Sequence, residues 1–195
     1  FNPALTGRIF LLMAYPVEMT DWTTSIPDAL SGSTMLAEVK YNPALASELN
    51  FTEMFGGYMN GSMGEISALA LILGGLYLLW RKVITWHIPV SILLTMALFA
   101  MGYAIGFGGS LIYELPLFHL LAGGALLGAI YMATDYSTSP MTHKGMIIYG
   151  VGIGIITMVI RLWGAYPEGM SFAIFIMNAV TPLINKYCRP KRFGC

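Results

Sequence analysis

IPVSILLTMALFAMGYAIGF, the stretch Ile88–Phe107, contains no charged residue. A helix needs about 20 apolar residues to cross the hydrocarbon of a bilayer, so this stretch reads as a membrane span. Four further runs flank it. Ile66–Trp80 ends at Arg81-Lys82, and Leu117–Ala133 holds His119 as its only ionisable side chain. Met146–Ile160 and Met170–Ile184 are uncharged. Three of the runs reach spanning length only with flanking Ser, Thr and Gly residues. Each is nevertheless bounded by charges or Pro/Gly turns, so all five are expected to span. A sixth run, Ile9–Tyr15, is too short, and reads as the end of an earlier helix or as a re-entrant piece. The expected fold class is an all-α integral membrane bundle with five complete spans.

Composition agrees. The 195-residue chain is 56% hydrophobic and 10% charged, with mean hydropathy +0.69. Soluble domains carry about a quarter charged residues. Ten basic and ten acidic side chains cancel, which excludes a basic nucleic-acid binder. The 13% aromatic content and low charge exclude intrinsic disorder. Cys188 and Cys195 provide neither a disulfide framework nor metal-ligand spacing, and no metal site is expected. Phe1-Asn2-Pro3 reads as the middle of a longer protein.

The zero net charge conceals a split. Residues 1–65 hold seven acids and two bases, and residues 66–195 hold three acids and eight bases. Arg81-Lys82, His143-Lys144 and the tail Lys186, Arg189, Lys191, Arg192 follow spans one, three and five, and so share a side. The bias of Lys and Arg toward the cytoplasm makes that side the inner one. The acidic segment before span one and the loops of Glu114 and Glu168 then face outward, with Arg161 the single base there. Gly102/Gly106, Gly124/Gly128 and Gly150/Gly154 are small-xxx-small pairs that let helices approach closely. The fourteen Met residues read as core filler.

The chain divides into an N-terminal helical piece at 1–19, a polar outer segment at 20–64, five helices over 65–185 and a basic tail at 186–195. A polar segment of that length is too long for an ordinary connection and points to function. Asn42-Pro43-Ala44-Leu45 and Asn2-Pro3-Ala4-Leu5 both read as helix starts, the first leading a short helix through Leu49. A water channel with paired Asn-Pro-Ala half-helices is excluded, because one copy lies in the polar segment and the two are too close in sequence. Between them stands Asp28-Ala29-Leu30-Ser31-Gly32-Ser33-Thr34-Met35-Leu36. Taken alone, Ser31-Gly32-Ser33 is a turn and Thr34 is an N-cap for a helix through Lys40.

Asp28-x-x-Ser31-Gly32-Ser33-Thr34-x-Leu36 resembles the flavinylation motif of the RnfD/NqrB family. Its members are membrane components of the Rnf complex and of its relative, the Na⁺-translocating NADH:quinone reductase. Ser33 stands where that motif usually has Ala. Further stretches are similar to the same family: Asn60–Ala68, Lys82–Pro89, Ala133–Pro140 (with Tyr136 in place of a usual Pro), Tyr166–Gly169, and Asn178-Ala179 with Pro182–Ile184. Asn185 stands where the family often has Asp. Ser139-Pro140 and the Arg189-Pro190 tail lean toward the Rnf member.

The resemblance implies a longer protein of ten helices in two related halves, of which this chain would be the C-terminal half. It implies a membrane subunit of a redox-driven pump, not catalytic alone, passing electrons from ferredoxin toward NAD⁺ with outward Na⁺ or H⁺ movement. It implies FMN carried on Thr34 through a phosphoester attached by a flavin transferase, with other Rnf subunits and lipid as partners. A second, non-covalent flavin such as riboflavin stays open. The N–H groups of Gly32 and Ser33 are candidates to hold the FMN phosphate, and Asp28 and Ser31 belong to the same motif. No cysteine cluster for iron–sulfur ligation and no Rossmann fingerprint is present, so the expected share of the work is the flavin and the membrane path. Glu65, Glu114, His119 and Asp135 are the ion-path candidates, with interfacial caps or a structural histidine as the alternative reading. A transporter with a lid and a non-redox scaffold are the competing classes.

Overall fold

The computed structural model describes residues 1–20, 22–23, 31–42, 51–57, 61–62, 64–107 and 116–189. Helix α1 (Pro3–Ala14) begins at its own cap: the Asn2 side chain accepts from the Ala4 and Leu5 amides, and Pro3 occupies the first turn. The Ile9–Tyr15 run is thus the latter part of a helix that starts within the chain. Two two-residue strands, β1 (Trp22–Thr23) and β2 (Ser31–Gly32), pair antiparallel. They lead into α2 (Met35–Tyr41), capped by Thr34 and running close to the expected end at Lys40. A further short helix, α3 (Phe51–Gly56), lies in the same polar segment and had no signal in the hydrophobic pattern. The helix expected through Leu49 lies outside the described residues.

The apolar runs follow as α4 (Ala68–Trp80), α5 (His87–Phe107), α6 (Pro116–Leu121), α7 (Ala125–Leu127) continuing as a π-helical turn over Gly128–Met132, α8 (His143–Trp163) and α9 (Met170–Tyr187). Among the described residues, α5 and α8 are long and apolar enough to cross a membrane. Their exposed sides are apolar too: Val90, Leu94, Leu98, Met101 and Ile105 form a stripe down α5. Such a face marks a surface covered by a partner or by lipid, and on a helix of spanning length hydrocarbon is the solvent that suits it.

The expectation of one continuous span over Leu117–Ala133 is corrected. The helix breaks at residues 122–124, between α6 and α7. Gly123 adopts φ +64°, and a Cβ there would meet Leu36 at 3.1 Å and the Arg161 guanidinium at 3.3 Å. Adjacent glycines favour such a break, because each costs about 1 kcal/mol relative to Ala inside a helix. Broken helices are tolerated at membrane depth where protein groups re-satisfy the freed backbone, and Arg161 does so here.

α5 and α8 run parallel, with His87 stacked on His143 at one end (ring centroids 4.3 Å apart). Their contact is set by Gly150 and Gly154. A Cβ on Gly154 would stand 2.8 Å from the Thr95 Cβ and 3.1 Å from the Ile92 carbonyl, and one on Gly150 would overlap the Ser91 side chain. Ile88, Ile92, Met96, Tyr149, Ile153 and Met158 fill this seam, and Met170, Ile174 and Met177 extend it to α9. The Tyr149 hydroxyl donates to Asn178 Oδ1 at 2.6 Å across the α8–α9 contact. Gly124 and Gly128 also work by smallness, admitting Glu65 and Met170. Gly102 and Gly106 do not: among the described residues, nothing lies within 4 Å of a Cβ added at either.

Gly150→Val is therefore expected to destabilise the bundle by about 1–3 kcal/mol through overpacking. Gly102→Ala is expected to leave it unchanged or slightly firmer. Thermal midpoints in detergent check both.

Candidate functional site

Thr34 caps α2 through its side-chain oxygen, which accepts from the Ala37 amide at 3.4 Å. The residue is buried. Two contacts hold it in place. Leu36 and Val39, on the inner face of α2, pack with Phe118, Leu121 and Ala122 at the broken helix. Lys40 Nζ donates to the carbonyls of Gly164 (2.6 Å) and Tyr166 (3.1 Å), tying α2 to the loop after α8. Burial pulls the Lys40 ammonium below its ordinary pKa.

That loop carries Glu168. Thr34 shares the wall of one small space with Glu168, Thr20 and Tyr166, and of a second with Glu65, Gly61 and Gly123. Arg8 joins the two acids: its Nη2 donates to Glu65 at 2.8 Å and to Glu168 at 3.3 Å. Arg161 lies beneath, 1% exposed, donating to the carbonyls of His119 (2.6 Å) and Ala122 (3.0 Å). Those carbonyls face the break, and a guanidinium, with five donors in a rigid fork, suits the task. The result is a cluster of two acids and two arginines at the break of a helix, Glu65 and Arg161 buried and Arg8 and Glu168 part-buried, with Thr34 sharing small spaces with its two acids.

Burial, reinforced by the Glu65 carboxylate, pushes Glu168 up to about 7, while Arg8 and Arg161 pull it down. Its ordinary value is 4.5, so between these limits the folded protein holds a proton that the unfolded chain releases. Glu168 thus favours the folded state most at acid pH, and this contribution is lost as pH rises toward 7.

Of the sequence candidates, Thr34 and Glu65 come together here, and His119 is buried one turn before the break. Gly32 belongs to the β ladder, as does the Ser31 backbone. Ser33 lies beside the cap, its hydroxyl 3.4 Å from Glu38. Asp135 is elsewhere: it accepts from the Ser137 and Thr138 hydroxyls in the loop before α8. Asp28 and Glu114 lie outside the described residues. Arg8, Arg161 and Glu168 were not among the candidates. The signal for the two arginines was a lone base inside an apolar helix. Glu168 gave none, because only the fold brings its loop against α2.

Apolar outer faces and, among the described residues, two helices long and apolar enough to cross a bilayer mark a helical membrane protein. The chain belongs to the NQR2, RnfD, RnfE family, whose model matches residues 1–194. It is 46% identical to the D subunit of the Na(+)-translocating ferredoxin:NAD(+) oxidoreductase complex of Acetobacterium woodii, over 99% of this chain and 58% of that protein. It is 44% identical to the D subunit of the proton-translocating ferredoxin:NAD(+) oxidoreductase complex of Clostridium ljungdahlii, over 100% of this chain and 61% of that protein. It is 38% identical to the D subunit of an ion-translocating oxidoreductase complex of Stutzerimonas stutzeri, over 100% of this chain and 63% of that protein. The chain thus spans about three fifths of the length of these curated relatives.

If Glu168 titrates as described, the wild-type thermal midpoint should fall between about pH 5 and pH 8 more steeply than that of Glu168→Gln. Parallel curves would remove Glu168 as the titrating group.

Proposed function

We propose that this chain is the flavin-bearing membrane part of a redox-driven ion pump of the Rnf type. It carries FMN on Thr34 and works within a complex that passes electrons between ferredoxin and NAD⁺ while Na⁺ or H⁺ crosses the membrane. The observation that carries the reading is Thr34, which caps α2 and shares the walls of two small spaces with Glu168 and Glu65, the two acids that Arg8 joins. Five spans, with α6 and α7 forming one broken crossing, would place Thr34 on the outer face and the Lys186 end inside, as the second half of a ten-helix protein.

The residues suit the group. A phosphoryl ester at Thr34 would stand at the start of α2, where the free amides and the backbone dipole favour negative charge. Arg8 and Arg161 add positive charge beneath it. The spaces beside Thr34 measure about 30 and 10 Å³, too small for a flavin ring, so a ring system tethered there would have to lie outside them. Bound there, FMN would supply one- and two-electron transfer.

The chain's own residues do the rest. Thr34 tethers, and the arginines answer negative charge arriving at the tether. Glu168 holds a proton near neutral pH and yields it as the local field changes. Glu65 and His119 flank the break and are the ion-path residues favoured by position. Asp135, remote and satisfied by hydroxyls, is better read as a loop cap. A second flavin such as riboflavin would suit the cavity of about 640 Å³ near the other end of α9. There Asn178 Nδ2 is buried without a partner among the described residues.

Intact-mass analysis of protein made with its flavin transferase should show the mass of FMN less one water, with fluorescence surviving a denaturing gel. Thr34→Ala should lose both, and a variant that kept them would sink the tether. Glu65→Gln should cut ion transport at least about tenfold while the covalent flavin is retained, whereas Asp135→Asn should leave transport within about twofold. Undiminished transport in Glu65→Gln would remove that residue from the path.

A further inference from the structure

A second large cavity lies away from the Thr34 cluster. It is a groove of about 700 Å³ running between α4 and α5, with α6 and α7 as its floor. Its lining is apolar except for Thr52, which stands at the Phe51–Phe55 end. Leu76, Leu79, Val90 and Leu93 form its sides.

The opposite end has a different character. Leu79 and Ile84 both line the groove, and the turn between them carries Arg81 and Lys82, both exposed. Lys82 sits at φ 56°, and the Val83 amide bonds back to the Leu78 carbonyl at 3.0 Å. This is a helix-ending geometry that sets the turn at the end of the groove. Trp80 and Trp86 flank it and are exposed, as expected for side chains at a membrane–water boundary. Trp86 stacks on His87, and His87 on His143, which brings the exposed Lys144 to the same end. Among the described residues, none of Arg81, Lys82 and Lys144 makes an ion pair. The acid described at this end, Asp135, is engaged by Ser137 and Thr138.

An apolar trough closed at one end by cations that form no ion pair among the described residues has a specific complement. We propose that this groove binds an anionic phospholipid, with an acyl chain between α4 and α5 and the headgroup phosphate held by Arg81 and Lys82. Basic sites between membrane helices on a positively charged side take anionic headgroups by this same electrostatics. A zwitterionic lipid would fill the trough equally well but bring no net negative charge to the two bases. A transmembrane helix laid there would have to supply its own acid at the Arg81–Lys82 turn.

Native mass spectrometry of the detergent-purified complex tests this, using phosphatidylglycerol and phosphatidylcholine with identical dioleoyl chains. Retention should favour phosphatidylglycerol by at least about tenfold, since each surface base contributes roughly fivefold toward an anionic lipid. Arg81→Gln combined with Lys82→Gln should bring the two lipids to near parity. Val90→Trp, which fills the trough at a half-exposed position, should reduce retention of both. Each variant should keep its covalent flavin and its thermal midpoint, which reports that the fold is intact. Equal retention of the two lipids by wild type would overturn the proposal. So would a preference that survives loss of both bases, retention unaffected by Val90→Trp, or a groove found filled by another protein of the intact complex.

Discussion

A guanidinium buried in an apolar bundle has to be met by acceptors, and Arg161 is met by the carbonyls of His119 and Ala122. Those carbonyls point at it because the helix carrying them breaks at Gly123. The arginine and the break thus require each other: without Arg161 the freed carbonyls would be unsatisfied, and without the break the guanidinium would face closed helix. Around this pair the rest assembles. Leu36 of α2 packs against Gly123, and Glu65 comes in where Gly124 leaves room. Arg8 bridges Glu65 to Glu168, and Lys40 draws the Glu168 loop to α2. Thr34 ends up against the cluster because of what its helix rests on.

The membrane class of the protein was legible in the sequence, and so were most of its helices. Runs of apolar residues bounded by charges are a direct readout of length against bilayer thickness, and α5, α8 and α9 fall close to where the runs lie. Thr34 as a helix start was equally legible, because capping is a local matter of one hydroxyl and one amide. The break in Leu117–Ala133 was not. Hydropathy counts apolar residues and is blind to whether Ala122-Gly123-Gly124 continues a helix; the deciding group, Arg161, lies far along the chain. Arg8, Arg161 and Glu168 escaped for the same reason, as did the contrast between the packed Gly150/Gly154 pair and the unpacked Gly102/Gly106 pair. Small residues permit close approach, but only a neighbouring helix makes use of it.

The charge split in the sequence takes on structural meaning. Arg81, Lys82 and Lys144 gather at the end of the bundle marked by the His87–His143 stack. The mixed cluster of two acids and two arginines lies at the other. The two ends suit different work. Exposed cations that form no ion pair among the described residues suit an anionic surface, whereas part-buried ions in mutual contact suit a response to added charge, since a change on one shifts the others. Glu168, raised by burial and by Glu65 to about 7, is placed to exchange a proton near neutral pH.

The account stands on the claim that the charge state of this cluster is coupled to a flavin on Thr34. Its most direct test is a reductive titration of the covalent flavin at several pH values, in wild type and in Glu168→Gln. The slope of the wild-type midpoint potential against pH should change near neutrality, and Glu168→Gln should lose that change while retaining the flavin. Superimposable curves from the two proteins would contradict that coupling.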